Sequence, residues 1–133
     1  CLCNRWIFND FLIDGGFDLV QPDVSRAGGL SESKRISDLA DSYNVPFAPH
    51  VSIGTAIYLA ASLHWAAAGP NLMMCEWPIE QGVIGNDILE IPFDFSDGCV
   101  ELSARPGLGL EIDEEALRQW EVAPEPERTH SEP

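Results

Sequence analysis

Three side chains that could accept, donate or stabilise a proton occur at nearly equal intervals in this sequence. Asp23, His50 and Glu76 each follow a short apolar run, with 27 residues from the first to the second and 26 from the second to the third. A carboxylate beside an imidazole orients the ring, and a histidine oriented in this way can act as general base and general acid. A nearby glutamate can hydrogen-bond a substrate oxygen. These residue types predict proton-transfer chemistry if the fold brings them together.

The segments between these residues alternate in type, which predicts how the three are positioned. Strands are predicted at residues 17–22, 45–49 and 72–75, and helices at 5–13, 31–43 and 53–68, with Ser31 as the N-cap of the second helix. The last of these helices is apolar over most of its circumference, so it must be covered on more than one side. Because strands and helices alternate with short connections, the sequence predicts βαβ units and a parallel sheet.

The interval itself is about the length of one unit of a (β/α) barrel, in which eight units fill roughly 250 residues. In barrels and in open α/β sheets, ligands collect at the carboxyl ends of parallel strands. We therefore expect Asp23, His50 and Glu76 to lie side by side on that face. Spacing alone leaves a second interpretation open, in which Asp23 caps a turn, His50 packs in a loop and Glu76 is simply solvated.

Downstream of these units the chain changes character. Apolar residues at 91–95 and 100–102 flank the Asp-Gly pair at 97–98, which is a strong β-hairpin signal. A short helix is predicted to follow Asp113, its N-cap, and to extend to Trp120. We therefore expect a hairpin and a short C-terminal helix after the last βα unit.

Length and composition bound the number of domains. The 133 residues, 45% of them hydrophobic, suffice for one globular domain, which we place at residues 1–120. Residues 121–133 contain three prolines and four glutamates and have almost nothing to bury. We expect these last residues to form a disordered, acidic and proline-rich tail.

The charge balance excludes two classes of partner. Seven Lys and Arg against 22 Asp and Glu give a net charge of −15, which repels nucleic-acid phosphates and anionic membranes. No run of 18 apolar residues occurs, so the sequence predicts neither a membrane span nor a signal peptide.

The four cysteines are scattered and lack zinc-ligand spacing, which favours free thiols in a reducing compartment. We expect a cytoplasmic protein.

Two other features that could suggest function are interpreted as structural. His64 lies within the alanine-rich predicted helix and has no acidic residue one turn away, so we expect it to be packed. The glycines at 107 and 109 lack the third glycine and the strand-to-helix crossover of a dinucleotide-binding motif.

Four short motifs resemble the C-terminal part of the enolase superfamily. They are residues 20–30 (VQPDVSRAGGL), 48–50 (APH), 75–76 (CE) and 105–109 (RPGLG). Their order and their β/α spacing make the match specific. They are most similar to the mandelate racemase and muconate lactonizing enzyme branch, including its sugar-acid dehydratases. The resemblance covers about residues 4–120.

This resemblance implies a modified (β/α) barrel, similar to a TIM barrel, of which strands six to eight are present here. It implies that Asp23 and His50 form a catalytic dyad and that Glu76 hydrogen-bonds an enediolate intermediate. The implied reaction removes the proton α to a carboxylate in an Mg²⁺-dependent enzyme. The implied substrate is a small carboxylate such as a sugar acid, and the implied whole protein is a homo-oligomer.

The same resemblance implies what this chain lacks. The acidic metal ligands at the ends of strands three to five, and the second-strand base, would lie upstream of Cys1, so we expect no metal ligand within the chain. The one lysine, Lys34, lies on a predicted helix. We therefore expect the parent protein to be an enzyme and this fragment alone to be inactive.

Three functions remain open from the sequence. A sugar-acid dehydratase is the first, with the histidine assisting departure of a β-hydroxyl. A racemase or epimerase that uses the same histidine is the second. The third is a non-catalytic fragment that is stable only when docked to a partner or to its missing half.

Overall fold

The computed structural model describes residues 2–78 and 85–122. Its elements are, in chain order, α1 (Arg5–Ile13), α2 (Leu30–Ser42), α3 (Ala56–Ala68), a 3₁₀ turn (Asn86–Ile88), β1 (Phe95–Ser96), β2 (Cys99–Val100) and α4 (Glu114–Arg118). The predicted helix at residues 5–13 is confirmed as α1, in which the Asn4 side chain caps the first turn. No helix among the described residues is long and apolar enough to cross a membrane.

Three extended segments lie side by side in parallel, with the segment containing Phe47 in the centre. Phe47 forms parallel bridges with Val20 on one side and with Leu72 on the other. The backbone N–H of Ala48 donates to the Val20 carbonyl at 3.0 Å, and that of Met73 donates to the Phe47 carbonyl at 2.9 Å. The predicted parallel βαβ arrangement is therefore confirmed. The strand pairing is shorter than predicted, because each two neighbouring segments share a single β-bridge.

Helix α2 begins before the predicted N-cap. Gly29 occupies the N-cap position, with φ at 86°, and no side chain caps the helix. The Ser33 N–H already donates to the Gly29 carbonyl at 3.0 Å, so the helical hydrogen bonds start there. The prediction of Ser31 as N-cap is wrong, since the turn at Gly28-Gly29 directs the chain into the helix two residues earlier.

Helix α3 begins later than predicted, at Ala56 and not at Ile53. The Thr55 hydroxyl oxygen accepts the Tyr58 N–H at 3.3 Å and so caps the first turn, which leaves Ile53 outside the helix and 69% exposed. The helix ends at Ala68, as predicted.

Phe47 is the centre of the main core, which joins the parallel segments to the helices. Its ring is completely buried and lies 5.0 Å from the ring of Trp65 on α3, centroid to centroid. The backbone of Gly69 passes so close to the ring that a Cβ there would lie 2.2 Å from Phe47 Cε1 and Cζ. Other buried members of this cluster are Phe8, Leu12, Val20, Val24, Ala27, Ile36 and Ala40.

The C-terminal elements agree with the sequence in type. β1 and β2 form an antiparallel hairpin around Asp97-Gly98, which confirms the hairpin, although only two residues pair on each side. The Asp113 side chain accepts the N–H groups of Glu115 and Ala116 at 3.0 Å each, which confirms it as the N-cap of α4. Residues 123–133, most of the predicted tail, lie outside the described residues.

Candidate active site

Asp23 follows the first parallel segment and is fixed by its own loop. Its side chain is only 6% exposed. One carboxylate oxygen, Oδ1, accepts hydrogen bonds from the Ser25 hydroxyl at 2.6 Å, the Ser25 N–H at 2.8 Å and the Arg26 N–H at 3.3 Å. The loop therefore fixes the orientation of the carboxylate and leaves the second oxygen, Oδ2, directed at other elements.

His50 follows the neighbouring parallel segment and reaches that second oxygen. Its Nδ1 lies 2.9 Å from Asp23 Oδ2. The His50 backbone N–H donates to the Pro22 carbonyl at 2.9 Å, so the sheet pairing places the two residues side by side. Because a carboxylate can only accept, the proton is on Nδ1 and the lone pair is on Nε2. The imidazole is 39% exposed, whereas its partner carboxylate is buried.

Tyr58 also contacts this pair, although sequence reasoning did not select it. From the first turns of α3, its hydroxyl lies 2.9 Å from Asp23 Oδ2 and 3.0 Å from the His50 carbonyl. The Ser52 N–H donates to the same hydroxyl at 3.2 Å. A sequence signal existed: a tyrosine in an alanine-rich buried helix needs a hydrogen-bond partner for its hydroxyl.

The environment of Asp23 favours its charged form. Burial of the carboxyl raises its pKa, but the hydrogen bonds from the Ser25 hydroxyl, His50, Tyr58 and the Ser25 N–H together outweigh burial and hold the pKa below its usual value. Burial has the leading effect on Tyr58 and, with the adjacent Asp23 carboxylate, raises the pKa of the phenol. The arrangement therefore pairs an ionised aspartate with a neutral tyrosine.

Glu76 follows the third parallel segment and lies beside the residue after His50. Its Oε2 accepts the Val51 N–H at 2.9 Å and the Gln21 Nε2–H at 3.4 Å. These bonds attach Glu76 to the end of the central segment and to the first segment beyond it, while no direct bond joins it to His50 or Asp23 among the described residues. The three side chains thus lie at one end of the parallel segments, as their spacing predicted.

An open cleft of about 510 Å³ borders the Asp23–His50 pair. Its lining combines the polar residues Gln21, Asp23, Arg26 and His50 with the apolar residues Leu2, Phe8, Phe17 and Leu19. The partly exposed imidazole is therefore part of the cleft surface. The cleft has the mixture of apolar wall and few polar groups that is usual for ligand sites.

Comparison with known proteins assigns the family. A family model described as enolase C-terminal domain-like matches residues 1–116. This chain belongs to the enolase superfamily. The resemblance predicted from the four motifs is confirmed, and so is the α/β fold that forms part of a TIM-like barrel.

Among curated relatives, a D-galactonate dehydratase from Xanthomonas euvesicatoria pv. vesicatoria is 39% identical over 129 residues. The match covers 91% of this chain and 33% of that enzyme, so the chain spans about a third of the length of the curated relatives it matches.

Solved structures of enolase-superfamily proteins have the same fold. A mandelate racemase/muconate lactonizing enzyme-like protein from Rubrobacter xylanophilus is 36% identical, with a TM-score of 0.79 over 88% of this chain and 30% of that one. An enolase from Agrobacterium radiobacter with bound Na and L-malate is 34% identical, with a TM-score of 0.79 over 89% of this chain and 33% of that one.

Mg²⁺, which the enolase family implies, does not fit the side chains described in this chain. Within residues 2–78 and 85–122, no group of three or more His, Cys, Asp or Glu side chains is arranged to hold a metal ion. Asp23 and Glu76 are acidic, but hydrogen bonds from protein donors already occupy Oδ1 and Oδ2 of Asp23 and Oε2 of Glu76. The acidic side chains described at this end of the parallel segments are therefore engaged in hydrogen bonds within the protein.

His64 and the loop that contains Gly107 and Gly109 contact each other. Nε2 of His64 lies 3.1 Å from the Leu108 carbonyl, so the ring attaches the glycine-containing loop to α3. Cys75 and Cys99 form no disulfide, and burial raises the pKa of the Cys75 thiol.

Proposed function

We propose that the whole protein is a sugar-acid dehydratase in which this chain supplies the proton-transfer dyad. The observation that carries the proposal is the 2.9 Å contact between His50 Nδ1 and Asp23 Oδ2, at the carboxyl ends of adjacent parallel segments. The curated relatives named D-galactonate dehydratase support the substrate class, a small sugar acid.

His50 is the group that moves the proton. With Nδ1 bonded to Asp23, the Nε2 lone pair is left for a substrate, and the partly exposed His50 lines the open cleft. The Asp23 carboxylate is buried, so its role is to orient the ring and to stabilise imidazolium. Such a pair can take a proton as base and return it as acid.

Glu76 is the group that hydrogen-bonds the substrate oxygen on which charge develops. Only Oε2 accepts hydrogen bonds from protein donors among the described residues, which leaves Oε1 to carry a proton and to donate a hydrogen bond to that substrate oxygen. The bonds from Val51 and Gln21 hold the carboxyl group in place without reorganisation during the reaction.

The proposed reaction is an overall loss of water from a 2,3-dihydroxy carboxylate. The C2 proton leaves to a base, the C2–C3 double bond forms, and the C3–O bond breaks as His50 protonates the departing hydroxyl. The resulting enol then takes a proton at C3 and becomes a 2-oxo-3-deoxy acid. The Mg²⁺ that would neutralise the developing charge, with ligands outside this chain, is part of the proposal for the whole protein.

The domain organisation is likewise a proposal. Residues 1–120 form the C-terminal part of the barrel domain, and residues 121–133 form a tail outside it. The family model supports the first boundary, since its match ends at residue 116.

The test is incubation of the whole protein with D-galactonate and Mg²⁺ in D₂O, followed by detection of a 2-oxo acid. A dehydratase releases the 2-oxo-3-deoxy acid and incorporates deuterium at C3. Deuterium at C2 without loss of water identifies a racemase or epimerase. Absence of exchange and of product over a panel of sugar acids contradicts both enzymatic functions.

A further inference from the structure

Tyr58 packs closely against the loop that carries His50. A Cβ on Gly54 would lie 2.6 Å from Tyr58 Cδ1, so the tyrosine ring lies directly on the glycine backbone. The ring position brings the hydroxyl to three groups, which are Asp23 Oδ2, the His50 carbonyl and the Ser52 N–H. The packing therefore fixes where the hydroxyl lies.

The single proton of this hydroxyl has two possible acceptors. Oδ2 of Asp23 is at 2.9 Å and the His50 carbonyl is at 3.0 Å. A hydrogen bond to a charged acceptor is about twice as strong as one to a neutral acceptor, so the proton goes to the carboxylate. The Ser52 N–H then donates to the hydroxyl oxygen and aligns it.

We propose that Tyr58 is a positioning residue that acts through Asp23, because its hydroxyl donates to the same carboxylate oxygen that faces His50. The inference rests on the proposed function, in which Asp23 orients the imidazole. Two donors, the Tyr58 hydroxyl and His50 Nδ1–H, share Oδ2, and together they hold Asp23 ionised while the imidazole gains and loses its proton at Nε2.

The other groups around this carboxylate are few. Ser25 and the Arg26 N–H bond Oδ1, and the Arg26 side chain approaches Oδ2 with Nε at 3.8 Å while remaining 60% exposed. From the remaining elements, His50 and Tyr58 are the titratable groups that bond Asp23 among the described residues. Solvent weakens the attraction between an exposed guanidinium and a carboxylate at this distance, so Arg26 does not replace the hydrogen bond from Tyr58.

The decisive variant is Tyr58→Phe, which keeps the ring on Gly54 and removes only the hydroxyl. In the whole protein with ¹³C-labelled aspartate, we expect the Asp23 carboxyl resonance, assigned with Asp23→Asn, to titrate at a higher pH. The expected rise is roughly half to one pH unit, where one unit is a tenfold change in proton affinity. Tyr43→Phe is the matched control, since its exposed hydroxyl bonds only Asn9 Oδ1, at 3.3 Å, among the described residues.

The kinetic arm uses the same two variants with D-galactonate. Tyr58→Phe is expected to lower kcat about tenfold with KM little changed, and to move the acidic limb of the rate profile to higher pH. Tyr43→Phe leaves both unchanged. A Tyr58→Phe protein with an unchanged Asp23 titration overturns the inference, whatever the substrate. Absence of wild-type turnover contradicts the proposed function alone, because the titration is read without catalysis.

Discussion

Nδ1 of His50 and Oδ2 of Asp23 lie 2.9 Å apart although 27 residues separate them in the sequence. Adjacent parallel segments bring them together, since the His50 N–H bonds the Pro22 carbonyl next to Asp23. The carboxylate is buried and the imidazole is partly exposed. A partly exposed imidazole is thus hydrogen-bonded to a carboxylate that its own loop holds in place.

Asp23→Asn should destabilise the fold in a pH-dependent way. In the folded protein burial raises the pKa of Asp23, but the hydrogen bonds that its carboxylate accepts outweigh burial and lower the pKa from its usual value of 3.8. The charged form therefore contributes its full stability above the unfolded pKa, and this contribution is lost as pH falls through the folded pKa. We expect a loss of about 1–3 kcal/mol at pH 7 that shrinks below about pH 4, as measured by urea unfolding at several pH values.

Asp38→Asn is the control for that measurement, because the Asp38 side chain forms, within the described part of the chain, just an exposed ion pair with Lys34 one turn away on α2. Its effect should be within about 0.5 kcal/mol. An Asp23→Asn effect that is equal at pH 7 and at pH 3 would contradict the assignment of a lowered pKa.

Gly69→Ala should destabilise the core although the backbone accepts alanine there. The glycine has φ −80° and ψ 142°, which any residue adopts, but the added Cβ would lie 2.2 Å from the Phe47 ring. Overpacking of this kind costs roughly 1–3 kcal/mol, measurable by chemical unfolding. In the background of Phe47→Leu, which shortens the side chain, the same substitution should cost clearly less. Equal costs in both backgrounds would show that the ring is not the obstacle.

Glu76→Gln should lower kcat of the whole protein more than it raises KM. The amide keeps the shape of the side chain and can still accept the Val51 N–H, so the local structure should persist. It replaces the carboxyl O–H that would donate to the substrate oxygen with a far less acidic amide N–H, and the weaker donor matters most in the transition state, where the enediolate charge develops. Steady-state kinetics with D-galactonate check the split. A rise in KM with unchanged kcat would make Glu76 a simple binding group.

The spacing of polar residues after apolar runs predicted the arrangement of the site. Asp23, His50 and Glu76 lie at one end of three parallel segments because each residue follows its segment in the chain. The near-equal intervals between them reflect the similar length of the βα units. The order of the elements was predictable for the same reason, since hydrophobic periodicity and glycine positions are local properties.

Details that depend on contacts between distant segments were not predictable. A tyrosine in the apolar helix α3 signals a need for a hydrogen-bond partner, but no local pattern indicates that the partner is Asp23, 35 residues away. The start of α2 at Gly29 depended on a backbone turn, and serine at position 31 offered a plausible but unused cap. Catalytic roles also stay predictions, because geometry places side chains without assigning their chemistry.

The most direct test of the account compares His50→Asn with His64→Asn in the whole protein, with D-galactonate as substrate. The His64 ring contacts the carbonyl of Leu108, which belongs to a different loop from Asp23 and His50. The His64→Asn variant should therefore keep its turnover within a few-fold of wild type. Loss of a general acid/base group lowers turnover by about 10²–10⁴-fold, and the account predicts a loss in this range for His50→Asn. A His50→Asn enzyme that keeps more than about a tenth of wild-type turnover would contradict the assignment of the dyad.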